Sequence, residues 1–471
     1  MNDSAPVGEA EQLSPVHFIG IGGAGMSGIA RIMLAMGLEV SGSDAKESLL
    51  LTALAAEGAR VQVGHDPRHV EQARTVVASS AVRPSNPELA RARELGLRVL
   101  HRSEALAAVS GGHRVIAVAG TNGKTTTTAM LTVMLQKCGR DPSFSIGGEL
   151  TESGTNAHLG SGEVFVLEAD ESDGTFVVYR PHLAVVTNVQ PDHLDFYGTA
   201  EAVEAGFAEF ARSIRPDGLL VACADDPGSA RLAEQAAAEG IRVRTFGFSE
   251  EADVRLLDLE PDEAGSSFEV WDGDLPIGRA RVSVPGRHNA LNALAAWTAL
   301  VEVDVPPTAA LEAMAAFTGT RRRFEPRGSS GGVRLFDDYA HNPGKVAAAL
   351  TTARQVAGKG RVVAVFQPHL YSRTRDFAQE FGQALGQADE VVVMDVYAAR
   401  EDPLPGVSGA LVADAVPLPS ERVAYVPSWS AVAGAVRARV KPGDLVVTIG
   451  AGDITMLADE VLALLGGSDP R

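Results

Sequence analysis

The chain has 471 residues and a mass of 49.1 kDa, room for about three domains, and 45% of it is hydrophobic, enough to bury sizeable cores. Sixty acidic residues against 41 basic ones leave a formal charge of −19, which argues against a protein gripping nucleic-acid phosphates or an anionic membrane face. A nucleotide remains possible, because a few backbone N–H groups and one lysine override net charge locally.

The first twelve residues are polar and acidic, the opposite of a secretory leader. The apolar stretch 16–30 is broken by His17 and several glycines, and is too short to span a bilayer. Two cysteines, Cys138 and Cys223, cannot build a disulfide framework or a multi-cysteine metal site. These features predict a cytoplasmic protein.

A predicted strand at 16–19 runs into Gly20-Ile21-Gly22-Gly23-Ala24-Gly25, followed by a helix to about residue 36. Gly20, Gly22 and Gly25 fit the G-x-G-x-x-G pattern, and Asp44 follows a second short strand. Such glycines let a diphosphate approach the backbone at a helix N-terminus. NAD and a UDP-sugar both present that group, and a bare strand-to-helix turn uses the same glycines. A strand at 76–78 and a helix at 103–109 lead to a boundary at Ser110-Gly111-Gly112-His113.

The next strand, 115–119, enters Gly120-Thr121-Asn122-Gly123-Lys124-Thr125-Thr126, and a helix to Lys137 follows. Val118 stands where the strict P-loop has its first glycine, so this is a shortened loop. Its chemistry is intact: backbone N–H groups nest an anion, Lys124 reaches β- and γ-phosphates, and the Thr125 hydroxyl is a Mg²⁺ ligand. The competing reading is a threonine-rich helix cap with a solvated lysine.

Strand 164–167 ends in Glu168-Ala169-Asp170-Glu171-Ser172-Asp173, and strand 184–187 ends near Asp192-His193. A carboxylate at a strand end beside a P-loop is placed to hold Mg²⁺, although a solvated acidic loop reads the same. His193 suits a second metal or a substrate carboxylate, or is surface decoration. Strand 219–222 follows, and Asn289 and Asn292 share one face of an alanine-rich helix, suited to a heterocycle edge; Asn289 as a helix cap competes. A second boundary lies near 317–327, where Arg321, Arg322 and Arg323 offer a cation to a γ-phosphate or form a solvated patch. Beyond it, strands at 362–366, 391–394 and 445–449 and polar loops at 337–343, 367–375 and 450–453 describe one edge of a further α/β sheet. Strands and helices are expected to alternate from end to end, in segments 1–112, 113–319 and 320–471. There is no internal repeat, no G-x-S-x-G and no lysine between Lys137 and Lys345.

Together, HFIGIGGAGMSGIA, GTNGKTTTT, EADESD, TNVQPDHLD, GRHNALNALAA, RRRFE, DDYAHNP and PHLYSRT resemble the Mur ligase family, in the family's order. The resemblance implies an α/β protein of three domains: an N-terminal Rossmann-like domain, a central P-loop-type ATPase domain with a mainly parallel sheet, and a C-terminal Rossmann-like domain. It implies ATP-dependent joining of L-alanine to the lactoyl carboxylate of UDP-N-acetylmuramate through an acyl phosphate, for peptidoglycan. Gly22, Gly23, Ala24, Gly25, Met26 and Ser27 would surround the UDP diphosphate, with Asp44, His65 and Ser80 near uridine or sugar. Gly120, Thr121, Asn122, Gly123, Lys124, Thr125 and Thr126 would hold the ATP phosphates. His288, Asn289, Asn292, Arg323 and Asp338 would complete the ATP site. Mg²⁺ would rest on Thr125 and Glu168, and a second Mg²⁺ on His193 shared with Glu168. Tyr339, His341, Arg373 and Arg375 would place alanine, and Lys124, Glu168, His193, Arg323 and His341 would carry the catalysis. No nucleic acid or membrane insertion is expected, and the state implied is a monomer or weak homodimer.

Two departures matter. Asn122 replaces a histidine usual in the family loop. The lysine-free interval removes the carbamoylated lysine that many relatives carry, which the alanine-adding branch does without. Competing functions are a ligase for another amino acid or peptide, an NAD-dependent oxidoreductase fused to a P-loop domain, and a non-catalytic nucleotide-binding regulator.

Overall fold

The computed structural model describes residues 10–399 and 401–466; most of the polar N-terminal lead-in lies outside them. Three sheets organise the chain. The first has five parallel strands in the order Arg60–Val63, Val40–Asp44, Val16–Ile19, Thr75–Ala78, Arg98–His101. Chain order reverses at Val16–Ile19, and the crevice beyond the carboxyl end of such a strand is where α/β sheets bind ligands.

The second sheet has ten strands. Its centre is Arg114–Ala119, flanked in parallel by Val164–Glu168 and Leu183–Val186. These strands are runs of Val, Ile, Ala and Leu buried almost throughout, as a sheet covered on both faces requires. Helix–strand alternation does not extend from end to end. Val254–Asp262, Gly265–Asp272 and Leu275–Val282 follow one another with two-residue connections and no helix between, a spacing that only antiparallel hairpins allow. Their alternating burial and the Asp272-Gly273 turn carry the signal.

The third sheet runs Glu325–Ser330, Val333–Asp338, Leu445–Ile449, Val362–Phe366, Glu390–Val393, Val423–Tyr425. It is parallel except for the antiparallel edge strand Glu325–Ser330. Three adjacent strands therefore deliver their following loops, at 339–343, 450–453 and 367–371, to one edge.

Contacts divide the chain into two compact units. One takes in the described residues to Leu259 with Ser267–Val282 and His288–Thr318; the other takes in Glu260–Ser266, Ser283–Arg287 and the described residues from Gly319. In the first unit a continuous core joins the two sheets, from Phe18 and Ile29 to Phe165 and Phe207. The helix Ala24–Ala35 reaches the strand Ala157–His158 closely at Gly28, where an added Cβ would stand 3.1 Å from the Ala157 Cβ. The second unit has separate cores on the two faces of its sheet. Among the described residues no helix is long and apolar enough to cross a membrane.

Candidate active site

The first glycine loop is shaped by its neighbour strand. Gly20 takes a φ of +80°, and the Gly20 and Ile21 N–H groups both donate to the Ser43 carbonyl. The Gly22 N–H donates to Asp44 Oδ2 at 2.9 Å, and an added Cβ at Gly22 would stand 2.9 Å from that oxygen. Asp44 thus fixes the turn itself. Gly23 caps the helix Ala24–Ala35, whose first N–H groups have no intrahelical acceptor. Gly23 and Ala24 are exposed, whereas Met26 and Ser27 are buried. His65 Nδ1 lies 2.9 Å from Ser43 Oγ and 3.1 Å from Glu88 Oε2. Glu88 is fully buried, and His69 joins it at 2.7 Å.

The second loop occupies the carboxyl end of Arg114–Ala119, between the loops that follow its two neighbour strands. Gly120 and Gly123 adopt φ of +130° and +86°, open to glycine at least cost. An added Cβ at Gly120 would stand 2.1 Å from Thr187 Oγ1, and one at Gly123 2.7 Å from Asn292 Oδ1. Thr187 Oγ1 and Asn188 Nδ2 both donate to the Asn122 carbonyl, and the Asn122 N–H donates to Asn188 Oδ1. The Asn122 amide donates to Gln190 Oε1 at 3.2 Å.

Lys124, first residue of the helix Lys124–Lys137, donates through Nζ to the Gly120 carbonyl at 2.6 Å and to Glu171 Oε1 at 2.8 Å. Burial works against its charge, but Glu171 and Asp170 outweigh this and raise its pKa, so the ammonium persists. Thr125 Oγ1 donates to Glu168 Oε1 at 3.0 Å, and the Gly147 N–H donates to Glu168 Oε2 at 2.8 Å. His193, at φ +52°, places Nε2 3.9 Å from Glu171 Oε1. Glu171 is therefore the carboxylate beside both Lys124 and His193, where Glu168 was expected beside the histidine.

The same acidic loop reaches the first sheet. Asp170 Oδ2 accepts from Arg102 Nη2 at 2.6 Å, and Asp173 Oδ2 accepts from Ser80 Oγ at 2.6 Å. His101 Nε2 lies 3.0 Å from Ser80 Oγ and 3.3 Å from Asp173 Oδ2. Ser80 thus faces the acidic loop. Burial works to raise the Asp170 carboxyl, but Lys124 and Arg102 outweigh it and hold the group at about 2.

Asn292 is buried against Gly123 and donates to Asn289 Oδ1 at 3.3 Å, so it braces the phosphate loop. His288 is exposed in the first turn of the same helix, and Thr126 is half-buried in the first turn of its own.

In the second unit, Arg322 donates to the carbonyls of Gly450 and Gly452 and, with Arg323, covers the Tyr339 ring at 4.8 and 5.4 Å. Asp338 accepts from the N–H groups of Phe324 and Ala340. Burial raises its carboxyl to about 6, with Arg323 opposing. His341 Nδ1 lies 3.0 Å from the Tyr339 carbonyl, and Arg373 donates to the His341 carbonyl at 3.3 Å. Burial, Lys345 and Arg373 push the His341 pKa well below its ordinary value, so the ring is a neutral imidazole. Arg375 does not join this group: it is exposed and pairs with its neighbour Asp376, because the turn of helix that aims Arg373 inward aims a residue two places on elsewhere. His369, stacked on Tyr397 at 5.9 Å and 6.1 Å from His341, belongs to the cluster although motif reading did not single it out. Arg102 and Glu171 were likewise missed; Glu171 stood inside a motif, while nothing local marks Arg102.

Three family models match consecutive stretches. The Mur ligase family catalytic domain matches residues 15–114, the Mur ligase middle domain 118–300, and the Mur ligase glutamate ligase domain 322–452. The UDP-N-acetylmuramate–L-alanine ligase of Kineococcus radiotolerans is 59% identical over 465 residues, covering 98% of each chain. That of Saccharopolyspora erythraea is 56% identical, covering 96% of this chain and 93% of its own. Among solved structures, the UDP-N-acetylmuramate-alanine ligase of Thermotoga maritima superposes with a TM-score of 0.81 at 29% identity, over 95% of this chain and 98% of its own. A murein peptide ligase from Psychrobacter arcticus gives 0.71 at 26% identity, over 97% and 99%.

Proposed function

This chain belongs to the Mur ligase family, and from that premise we propose that it joins L-alanine to UDP-N-acetylmuramate at the expense of ATP, in peptidoglycan precursor synthesis. The observation that carries this reading is the loop 168–173, which pairs with the phosphate loop through Glu168 and Glu171 and with the first sheet through Asp170 and Asp173. An oxidoreductase has no use for that link, whereas a ligase must bring a bound acid to a γ-phosphate.

We assign segment 1–112 to the UDP-sugar, 113–319 to ATP and 320–471 to the amino acid. The lactoyl carboxylate attacks the γ-phosphorus, the bond to ADP breaks, and an acyl phosphate forms. The alanine ammonium gives up a proton, the resulting amine attacks the acyl carbon, and the tetrahedral intermediate loses a second proton from nitrogen and expels phosphate to leave an amide. Lys124, held as an ammonium at the loop, meets charge developing on the transferring group. Arg323 is the candidate second cation, and neutral His341 is the candidate acceptor for the proton leaving the amine. Arg373 is the candidate partner for the alanine carboxylate; the exposure of Arg375 argues against that role for it.

Thr125 and Glu168 fit Mg²⁺, being hard oxygen donors beside the phosphate loop. For a second Mg²⁺, His193 and the Glu171 carboxylate facing it are the protein donors. Among the described residues no group of three or more His, Cys, Asp or Glu is placed to hold a metal; in the proposed site phosphate oxygens and water would complete the coordination of Mg²⁺. Bound there, Mg²⁺ supplies charge neutralisation at the phosphate oxygens.

The test is ADP release by purified protein with Mg²⁺ and ATP. Release should require both UDP-N-acetylmuramate and L-alanine, with glycine and L-serine as poorer replacements. No release with any of them overturns the reading; preference for glycine overturns only the amino acid. Lys124→Ala should abolish turnover, and appreciable retained activity would remove the phosphate assignment.

A further inference from the structure

On the functional reading above the first glycine loop faces a diphosphate, yet Gly20–Gly25 has no side-chain donor, and the N–H groups of Gly20, Ile21, Gly22 and Gly23 already donate to Ser43, Asp44 and Gly20. Arg31, on the helix that follows, is engaged by Glu57 at 3.0 and 3.1 Å. A different arginine reaches the loop from elsewhere in the sheet. Arg102 opens the helix Arg102–Ser110, directly after the strand Arg98–His101. Its Nη1 comes within 3.2 Å of the point where a side chain on Gly25 would begin. Its Nη2 donates to Asp170 Oδ2 at 2.6 Å, and the side chain is 26% exposed. A guanidinium is a planar fork of five N–H donors. Asp170 takes Nη2, and Nη1 lies beside Gly25.

We propose that Arg102 binds a diphosphate oxygen of the UDP-sugar and that Asp170 is the positioning residue that holds its guanidinium over Gly25. This rests on the functional reading above and adds a side chain that no motif marks. Charge-assisted bonds from a guanidinium to phosphate are strong and directional, and a half-buried carboxylate partner holds the fork in place. Asp170 also lies next to Glu171, the partner of Lys124, so the loop that orients the diphosphate cation is the loop that orients the ATP lysine.

The experiment is calorimetric titration of the full chain with UDP, alongside steady-state kinetics. Arg102→Gln should weaken UDP binding about 10- to 100-fold, and Arg102→Lys should recover part of that loss. Asp170→Asn should weaken UDP less than Arg102→Gln does, because the amide oxygen still accepts from the guanidinium. In both Arg102 variants KM for UDP-N-acetylmuramate should rise while KM for ATP stays unchanged, a split that a merely structural role would not produce; Asp170 also acts on Lys124, so its variant is judged on UDP binding. Equal UDP affinity in the unmodified chain and Arg102→Gln overturns the inference alone. So does a parallel rise in both KM values. An unmodified chain that binds no UDP overturns the inference and the functional reading together, and an unmodified chain that binds UDP but releases no ADP overturns only the latter.

Discussion

Glu88 shows how one side chain can organise a binding crevice without touching it. Its carboxylate is fully buried and takes hydrogen bonds from Ser43, His65 and His69, with His17 3.7 Å away. Burial works to raise its pKa, but nearby His17 and the hydrogen bonds from Ser43 and His69 outweigh this and hold it at about 2 rather than 4.5. Glu88→Gln should cost on the order of 1.5–3 kcal/mol, the range for hydrogen bonds to a charged group, and lower the thermal unfolding midpoint. The pH dependence has a definite sign: a depressed carboxylate stabilises the fold above its unfolded value and loses that contribution as pH falls through its folded value. The gap between unmodified protein and Glu88→Gln should therefore be full at neutral pH, hold down to about 4.5, and close towards 2. Midpoints measured at several pH values check this; a gap that widens in acid would show the carboxylate is not the source.

At the scale of elements, the phosphate loop depends on one close approach between strand ends. Gly120→Ala would place a methyl against Thr187 Oγ1, with the backbone nitrogens of Thr187 and Asn188 at 3.0 and 3.1 Å. Displacing the loop by about 1 Å should lower the ADP-release rate on the order of 100-fold. Gly139 is the control, since its φ of +74° is also positive but an added Cβ there would have nothing within 4 Å. Gly139→Ala should cost only about 1–2 kcal/mol of stability and leave turnover intact. The contrast also explains what the sequence disclosed. Strand–glycine–lysine–helix is a local pattern, so the loop at 120–125 and the strand before it could be read directly. The partner of Lys124 could not, because choosing Glu171 over Glu168 depends on how the chain turns after Val164–Glu168. Arg102 was invisible for a stronger reason: its meaning lies in a contact with residue 170, between two different sheets. The three hairpin strands at 254–282 were missed although Asp272-Gly273 marks a turn, because the apolar alternation elsewhere favoured a helix between strands.

Across the whole molecule, the chain carries a net charge of −19 while the proposed substrates are anionic. On the proposed reading, recognition would rest on Lys124, Arg102 and backbone N–H groups at contact distance rather than on long-range steering. Raising salt from about 20 to about 200 mM shortens the screening length roughly threefold. kcat/KM for the UDP-sugar should then stay level or rise slightly. A steep fall with salt would mean that a positive field guides the substrate, against the composition.

The acidic loop imposes a constraint of a different kind, on length rather than on identity. Residues 168 and 171 serve one neighbour, and residues 170 and 173 serve the other. Its four carboxylates behave like a reading frame. Replacing one residue dulls a single contact, whereas one inserted residue after Ala169 moves the next three carboxylates out of register at once. Such an insertion should cost UDP binding and ADP release together, even though every original side chain is still present.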